Sequence, residues 1–382
     1  MISLNEALNI LNNYSLNKKY PAEYVDIYNS QGRIIAEDII SKVDIPLYNR
    51  SNMDGYAVVD LNLKQYKIID EIFAGDMRDL IIKQNECVYV ATGSKIPNNA
   101  NFVIPIELVN IIDNEIIEPI EKITEKYISK IGTDIKYGEK VLKRGAKLNE
   151  RTIGLLASVG IEKVKVNYVP KIGIISTGNE LSVINEVNSK TLYSIIKMAN
   201  CIPVHIGNAR DNMEDIENMI NKAIKLNCDI IITSGGVSEG KKDLIPNIVL
   251  NRGNILFHKV KMRPGKPMLF GEIDSIPIFG MPGNVVSCIV CSYVYLLPFL
   301  ENITKKMQTT KKIVKAKLGG KVCSEPDFVY YRPVKLENGI AHLTFKGSGL
   351  ITSIVYADGF IKLNENELQK NKDDVVDVWL FE

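Results

Sequence analysis

Apolar positions along this chain change rhythm three times, and each rhythm predicts a different architecture. The first stretch, "MISLNEALNILNNYSL", spaces its apolar residues as one face of a helix, and Ser3 stands where an N-cap belongs. From Pro46 to about Lys140 the apolar runs are short. "CVYVATG" and "FVIPIE" read as strands, and "NIIDNEIIEPI" reads as a hairpin turning at Asp113-Asn114. Asn149 then precedes a helical stretch, "ERTIGLLASVG", which stops at Gly160, and the strand "IEKVKVNY" follows.

From Lys171 continuous apolar runs alternate with helical spacing. "KIGIIS", "IPVHIGN", "CDIIIT" and "IPIFGM" predict buried strands. Between them "TLYSIIKMANC" predicts a helix. Met213, Ile216, Met219, Ile220, Ala223 and Ile224 fit one face of a second helix, with Asp211 as its cap, and Asp243 opens a third. This alternation predicts a doubly wound α/β domain with a parallel sheet. From about 306 to 382 short strands and glycine turns predict a small β domain. The apolar run Val285–Leu300 is short for a bilayer span and contains Pro298, so a buried helix is expected.

Composition narrows the function without choosing it. The 382 residues are too many for one ordinary core, and 46% hydrophobic content predicts a globular protein. With 47 Lys+Arg against 45 Asp+Glu, the net charge of +2 argues against nucleic acid and anionic membranes as partners, so any anion site must be local. The six cysteines lie mostly in apolar segments; Cys288 and Cys291 form a C-x-x-C with no second ligand pair, which predicts buried hydrophobes. The three histidines lack ligand spacing. No secretory leader is read at the N-terminus, and a reduced cytoplasmic setting fits.

In an open α/β sheet, ligands sit beyond the carboxyl ends of the strands. Four loops leave such ends here: "STGNE" (176–180), "NARD" (208–211), "TSGGVSEGKKD" (233–243) and "MPGN" (281–284). Their glycines and small hydroxyls let backbone N–H groups approach an anion. If "FHKVKM" is extended, Lys259, Lys261 and Arg263 share one face, with Lys266 beyond a Pro-Gly turn. Acids (Glu180, Asp211, Asp243) beside these cations suggest a phosphorylated ligand and a divalent metal such as Mg²⁺. No nucleophile–base pair, nucleophile elbow or Walker spacing is present.

These loops, together with "SNMDGYAV" (51–58), "ATGSKIP" (91–97), "GTDIKYGEKVLKRG" (132–145), "RPGKP" (263–267) and "KGSGLITSIVYADG" (346–359), resemble the molybdopterin molybdenumtransferase family of the MoeA and gephyrin E-domain type, over essentially the whole chain. The resemblance implies four domains: a split linker (1–45 and 141–168), an inserted β domain (46–140), a molybdopterin-binding α/β domain (169–305) and a C-terminal small β-barrel (306–382). It implies a homodimer that inserts molybdate into adenylylated molybdopterin with loss of AMP. It implies polar cleft residues Asp54, Thr92, Asp134, Glu180, Asp211 and Asp243, with Glu180 and Asp243 nearest the metal. Ser176, Thr177, Gly178, Ser234, Gly235, Gly236, Ser238, Lys259, Pro282, Gly283 and Asn284 then face the pterin nucleotide. Arg263, Lys266, Ser287, Arg332 and Ser353 match positions for molybdate, a dianion that needs fixed cations and hydroxyl donors.

This chain departs from the family's pattern at Ser129 and Thr133, where relatives usually carry Arg and Glu. Arg263 stands for a lysine, Asn179 for an aspartate and Val285 for a proline. The alternatives are a paralogue that binds molybdopterin without inserting metal, one that uses tungstate, a gephyrin-like scaffold, or the related adenylyltransferase. The adenylyltransferase and the maturation proteins of molybdoenzymes are the partners the resemblance suggests.

Overall fold

The computed structural model describes every residue of the chain except 19, 180–184, 238–243, 305–312 and 382. The first helix, Leu4–Asn17, starts as its sequence requires: the Ser3 hydroxyl accepts the Glu6 N–H, and the Glu6 carboxylate accepts the Ser3 N–H. Its buried face, Leu4, Ala7 and Leu11, lies in the core of the α/β domain. Tyr14 packs edge-on to Phe270 at 5.2 Å between ring centroids and donates its hydroxyl to Glu272. By packing, this helix lies against the α/β domain.

The linker itself is assembled from two distant pieces of chain. Glu23–Asp26 pairs antiparallel with Lys163–Val166, and Ile39–Ile40 pairs with Lys140–Leu142. The pairing closes a small core of Ile35, Ile39, Leu148, Leu156, Val164 and Val166. Between them a six-stranded sheet is inserted, ordered Phe102–Pro105, Gly55–Val58, Glu86–Val90, Tyr66–Ile72, Ile116–Pro119, Val109–Ile112. Its last hairpin turns at Asp113 and Asn114, both at positive φ (52° and 58°), the conformation of a two-residue hairpin loop.

The α/β sheet runs in the order Ile202–Ala209, Lys171–Thr177, Ile230–Ser234, Ile276–Met281, Leu269–Ile273, Gly253–His258. The first four strands are mutually parallel, Leu269–Ile273 pairs antiparallel to Ile276–Met281, and Gly253–His258 pairs antiparallel to Leu269–Ile273. The antiparallel edge follows from a tight turn: Asp274 and Ser275, both at positive φ, leave no room for a crossover helix. The helix Asn188–Met198, the first helix and Val285–Thr304 cover one face, and Met213–Lys225 and Leu244–Arg252 cover the other. Val285–Thr304 is 20 residues long and apolar enough to cross a bilayer by composition, but 67% of it is buried inside the protein. Pro298 cannot donate an N–H to the preceding turn, and a π-helical turn at Ser292–Leu296 lies just before it.

Three local expectations need correcting. The cap of Met213–Lys225 is Asn212, whose side chain accepts the Asp215 N–H, so Asp211 is free for other bonds. The helix read from Thr191 starts at Asn188. The segment "FHKVKM" is not one extended strand, because the strand ends at His258 and Lys259 sits at φ +64°. Lys259, Lys261 and Arg263 therefore do not share a face by alternation.

The C-terminal strands close on themselves. Val329–Glu337, Ile340–Leu343, Ile313–Leu318, Val375–Leu380 and Gly359–Leu363 form successive pairs, and Gly359–Leu363 pairs back onto Val329–Glu337. Met262–Arg263 adds a short parallel strand beside Val329–Tyr330, which ties the barrel to the α/β domain.

Candidate functional site

The carboxyl ends of Lys171–Thr177, Ile230–Ser234 and Ile276–Met281 open into a crevice of about 630 Å³. Its wall comprises Ser176, Thr177 and Gly178 from the first loop, Asp211 from the second, Ser234–Val237 from the third, and Pro282–Val285 with Ser287 from the fourth. The barrel supplies Gly349, beside Asn284, whose side-chain amide donates to Ser348 Oγ at 3.1 Å. The four rims read from sequence thus meet at one place.

Close backbone packing shapes the floor. Gly235 sits at φ +96°, and a Cβ there would lie 2.6 Å from the Thr177 carbonyl oxygen and 2.8 Å from Thr177 Oγ1. Only glycine fits this approach. Asn188 clamps two of the loops: its side-chain amide donates to Ser234 Oγ at 2.8 Å and to the Gly283 carbonyl at 2.7 Å. Glu186 holds the neighbouring wall. Its carboxylate accepts the Ser176 hydroxyl at 3.0 Å, the Ser189 N–H at 2.6 Å and the Ser189 hydroxyl. Asn188 and Glu186 line the crevice but were missed in the sequence. A helix start placed at Asn188 instead of Thr191 would have put both at a capped N-terminus beside the loops. At the rim, Asn179 and Asp211 exchange reciprocal bonds: the Asn179 N–H donates to Asp211 Oδ2 at 3.3 Å, and the Asp211 N–H to Asn179 Oδ1 at 3.1 Å.

A second cluster sits where the barrel meets the short strand Met262–Arg263. Tyr330 and Arg332 share a face of Val329–Glu337, and Phe328 immediately precedes that strand. The Arg332 guanidinium lies between the Tyr330 and Phe345 rings, 4.6 Å from each centroid, and Arg263 lies over Phe328 at 4.9 Å. Among the described residues Arg332 has no hydrogen-bond or ion-pair partner, and burial lowers its pKa, with nearby Arg263 also lowering it. It remains a cation, since a guanidinium titrates far above neutrality. Three residues separate Arg263 from Pro267 and Phe345 from Gly349, and Pro267 and Gly349 both line the crevice.

The remaining candidates are placed unevenly. Lys266 is half-buried on the turn after Arg263 and does not line the crevice; its carbonyl accepts the Val260 N–H at 2.9 Å. Lys259 does not line it either. Ser353 is fully buried, and its hydroxyl is spent on the loop, accepting the Lys346 N–H at 2.9 Å and donating to the Gly347 carbonyl. It presents no surface to an oxyanion. Asp54 and Thr92 meet in the inserted domain: the Thr92 N–H and hydroxyl donate to one Asp54 oxygen at 2.6 and 2.8 Å. These bonds hold the Asp54 carboxyl below the usual carboxylate range. Asp134 is exposed. None of these three lines the crevice of its own chain. Glu180, Ser238 and Asp243 lie outside the described residues.

Ser129 and Thr133 have local partners: Ser129 donates to Asn52 Oδ1 at 2.6 Å, and Thr133 to the Lys130 carbonyl at 2.9 Å. The cysteine pair is packing. Cys288 and Cys291 are fully buried, burial pushes the Cys288 thiol up to about 12, and Cys291 packs onto Gly265. Of the six cysteines only Cys323 is exposed. A thiol-disulfide reagent at neutral pH is therefore expected to modify Cys323 alone in the folded protein and all six after denaturation. Labelling of Cys288 or Cys291 in the native protein, read by peptide mass, contradicts the packing described.

Three family descriptions match in succession: the MoeA N-terminal region, domains I and II, over residues 2–160, a molybdopterin binding domain over 173–302, and the MoeA C-terminal region, domain IV, over 315–381. A protein of Methanocaldococcus jannaschii assigned to molybdopterin biosynthesis is 32% identical over 96% of this chain and 93% of its own. The molybdopterin molybdenumtransferase of Haemophilus influenzae is 31% identical over 90% of each chain. The crystal structure of a molybdopterin biosynthesis MoeA protein from Pyrococcus horikosii superposes with a TM-score of 0.86 at 32% identity, covering 100% of this chain and 99% of that one.

Proposed function

The chain belongs to the MoeA family, and on that premise we propose that it is a molybdopterin molybdenumtransferase of molybdenum cofactor biosynthesis, which inserts molybdate into adenylylated molybdopterin and releases AMP. The observation that carries the reading is the joining of two half-sites, a glycine-floored crevice and a partly buried guanidinium, by two short segments of chain, Arg263 to Pro267 and Phe345 to Gly349.

The division of labour follows from their chemistry. The crevice offers hydroxyls and backbone at the ends of parallel strands, suited to phosphate and heterocycle. The Ser234 hydroxyl has one lone pair occupied by Asn188, which leaves its proton for a ligand oxygen. Arg332, partly buried between two rings and without an ion-pair partner among the described residues, is suited to a tetrahedral dianion. Ser287, buried in the crevice wall, adds a further hydroxyl there.

Mg²⁺ is part of the proposal as an expected requirement only. Among the described residues no three potential ligands cluster, and Asp211 is the one crevice carboxylate not fully engaged. That set does not make a metal site by itself, so no step is derived through the metal. Homodimerisation and cytoplasmic location also belong to the proposal. Asp54, Thr92 and Asp134 are far in sequence from the crevice and do not line it, so a second copy would be needed to bring them there.

The test is incubation of the purified protein with adenylylated molybdopterin, Mg²⁺ and molybdate while AMP is followed. AMP release that requires the oxyanion is expected. Release at the same rate without molybdate would make the protein a hydrolase, and no release would remove the transferase reading.

A further inference from the structure

The cation at Arg263 is not idle. Its guanidinium is gripped by the Glu325 carboxylate through two parallel contacts, Nη1 to Oε1 at 3.1 Å and Nη2 to Oε2 at 3.0 Å. Its face rests on Phe328. This fork geometry is the one in which arginine binds a carboxylate or another oxyanion most strongly. Glu325 also acts electrostatically on Arg332, as Arg263 does. Two guanidiniums and one carboxylate therefore occupy one small region, and the carboxylate holds the fork that an incoming oxyanion would use.

We propose that Glu325 is a built-in competitor for the oxyanion: it occupies Arg263 in the empty protein and must let go when a tetrahedral dianion binds beside Arg332. The inference rests on the assignment of this cluster to the oxyanion and adds a residue that sets the site's affinity. The geometry makes the exchange accessible. Both partners are about half exposed, with side chains 41% and 55% accessible, so the pair is screened by water and weakly held. Glu325 lies between Val322–Cys323 and Val329–Glu337, outside any strand. A lysine at position 263 would give Glu325 only a point charge. Arginine gives it a matching fork, so the carboxylate occupies Arg263 more completely. Occupation by a protein carboxylate raises the dianion concentration at which the site fills and disfavours monoanions, which must displace the same partner with half the charge.

The sign of one substitution separates this role from simple positioning. Glu325→Gln keeps the side chain's shape and removes its charge. If Glu325 competes, the variant should bind molybdate more tightly by calorimetry, by up to about fivefold, because a surface ion pair is worth up to about 1 kcal/mol. Its stability should be unchanged, and the contrast with the unmodified protein should shrink as salt is raised. If Glu325 merely orients Arg263, the variant should bind molybdate more weakly. Weaker or unchanged binding overturns the inference. Glu325→Asp, which shortens the reach but keeps the charge, should fall between the two, and tightening equal to that of Glu325→Gln would equally contradict charge competition. The parent protein serves as the separate check on the underlying assignment: molybdate binding that is insensitive to Arg332→Leu would remove the oxyanion site itself, and the competitor with it.

Discussion

Arg332→Leu is expected to lower molybdate-dependent AMP release about 100- to 1000-fold, the loss typical when one fixed transition-state contact of about 2.7–4 kcal/mol is removed. The physical reason is the state of this guanidinium in the empty protein. It sits between Tyr330 and Phe345, it has no ion-pair partner among the described residues, and burial works against its charge. A cation held in that condition costs stability, and a bound dianion recovers the cost. The melting temperature of Arg332→Leu should therefore stay within a few degrees of the parent, since lost ring contacts and relieved desolvation oppose each other. Arg332→Lys should not rescue activity fully, because an ammonium cannot fill a slot between two rings as a plane does. A variant that loses stability and activity in parallel would mark Arg332 as barrel packing. Affinity for the adenylylated pterin in the absence of molybdate, measured by calorimetry, should change far less than the rate.

Gly235→Ala carries the second large effect. At φ +96° an L-residue is strained, and its Cβ would meet the Thr177 carbonyl oxygen at 2.6 Å, which is backbone and cannot swing away. The floor must shift, and a displacement of about 1 Å at a reacting centre commonly costs about 100-fold in rate. AMP release should fall by at least that factor, with weaker binding of the pterin nucleotide. Gly283→Ala is the control across the same crevice. There a Cβ would make an ordinary contact, 3.6 Å from the Gly235 Cα, so stability should be nearly unchanged. Equal tolerance of both substitutions would show that the close approach at Gly235 has no functional weight.

The chain's rhythms made the architecture legible because burial imposes them. Continuous apolar runs such as "KIGIIS" and "CDIIIT" are short, rich in isoleucine and bounded by turn residues, which suits strands covered on both faces, and Lys171–Thr177 and Ile230–Ser234 are so covered. Glycine-rich loops at their carboxyl ends then located the crevice. What sequence hid was decided by single dihedrals and by side-chain choices between near-equivalent partners. Nothing in "FHKVKM" announces that Lys259 turns to positive φ, so the period-two argument failed there. Asp211 and Asn212 are both good caps, and only the backbone decides between them. Ser353 looks like a hydroxyl donor in "GLITSIV", yet its loop consumes it. Glu325 gave no signal, because a lone acid in a loop is unremarkable until its carboxylate is seen against Arg263.

Hydrogen–deuterium exchange with each ligand alone tests most directly whether the two half-sites serve different halves of one reaction. The adenylylated pterin, without molybdate, should slow exchange in peptides covering 176–179, 234–237 and 282–287. Molybdate alone should slow exchange in peptides covering 262–267 and 328–332, and leave the crevice loops as they were. Protection of the crevice loops by molybdate, with 328–332 unchanged, would place the oxyanion in the crevice and overturn the division between the two half-sites.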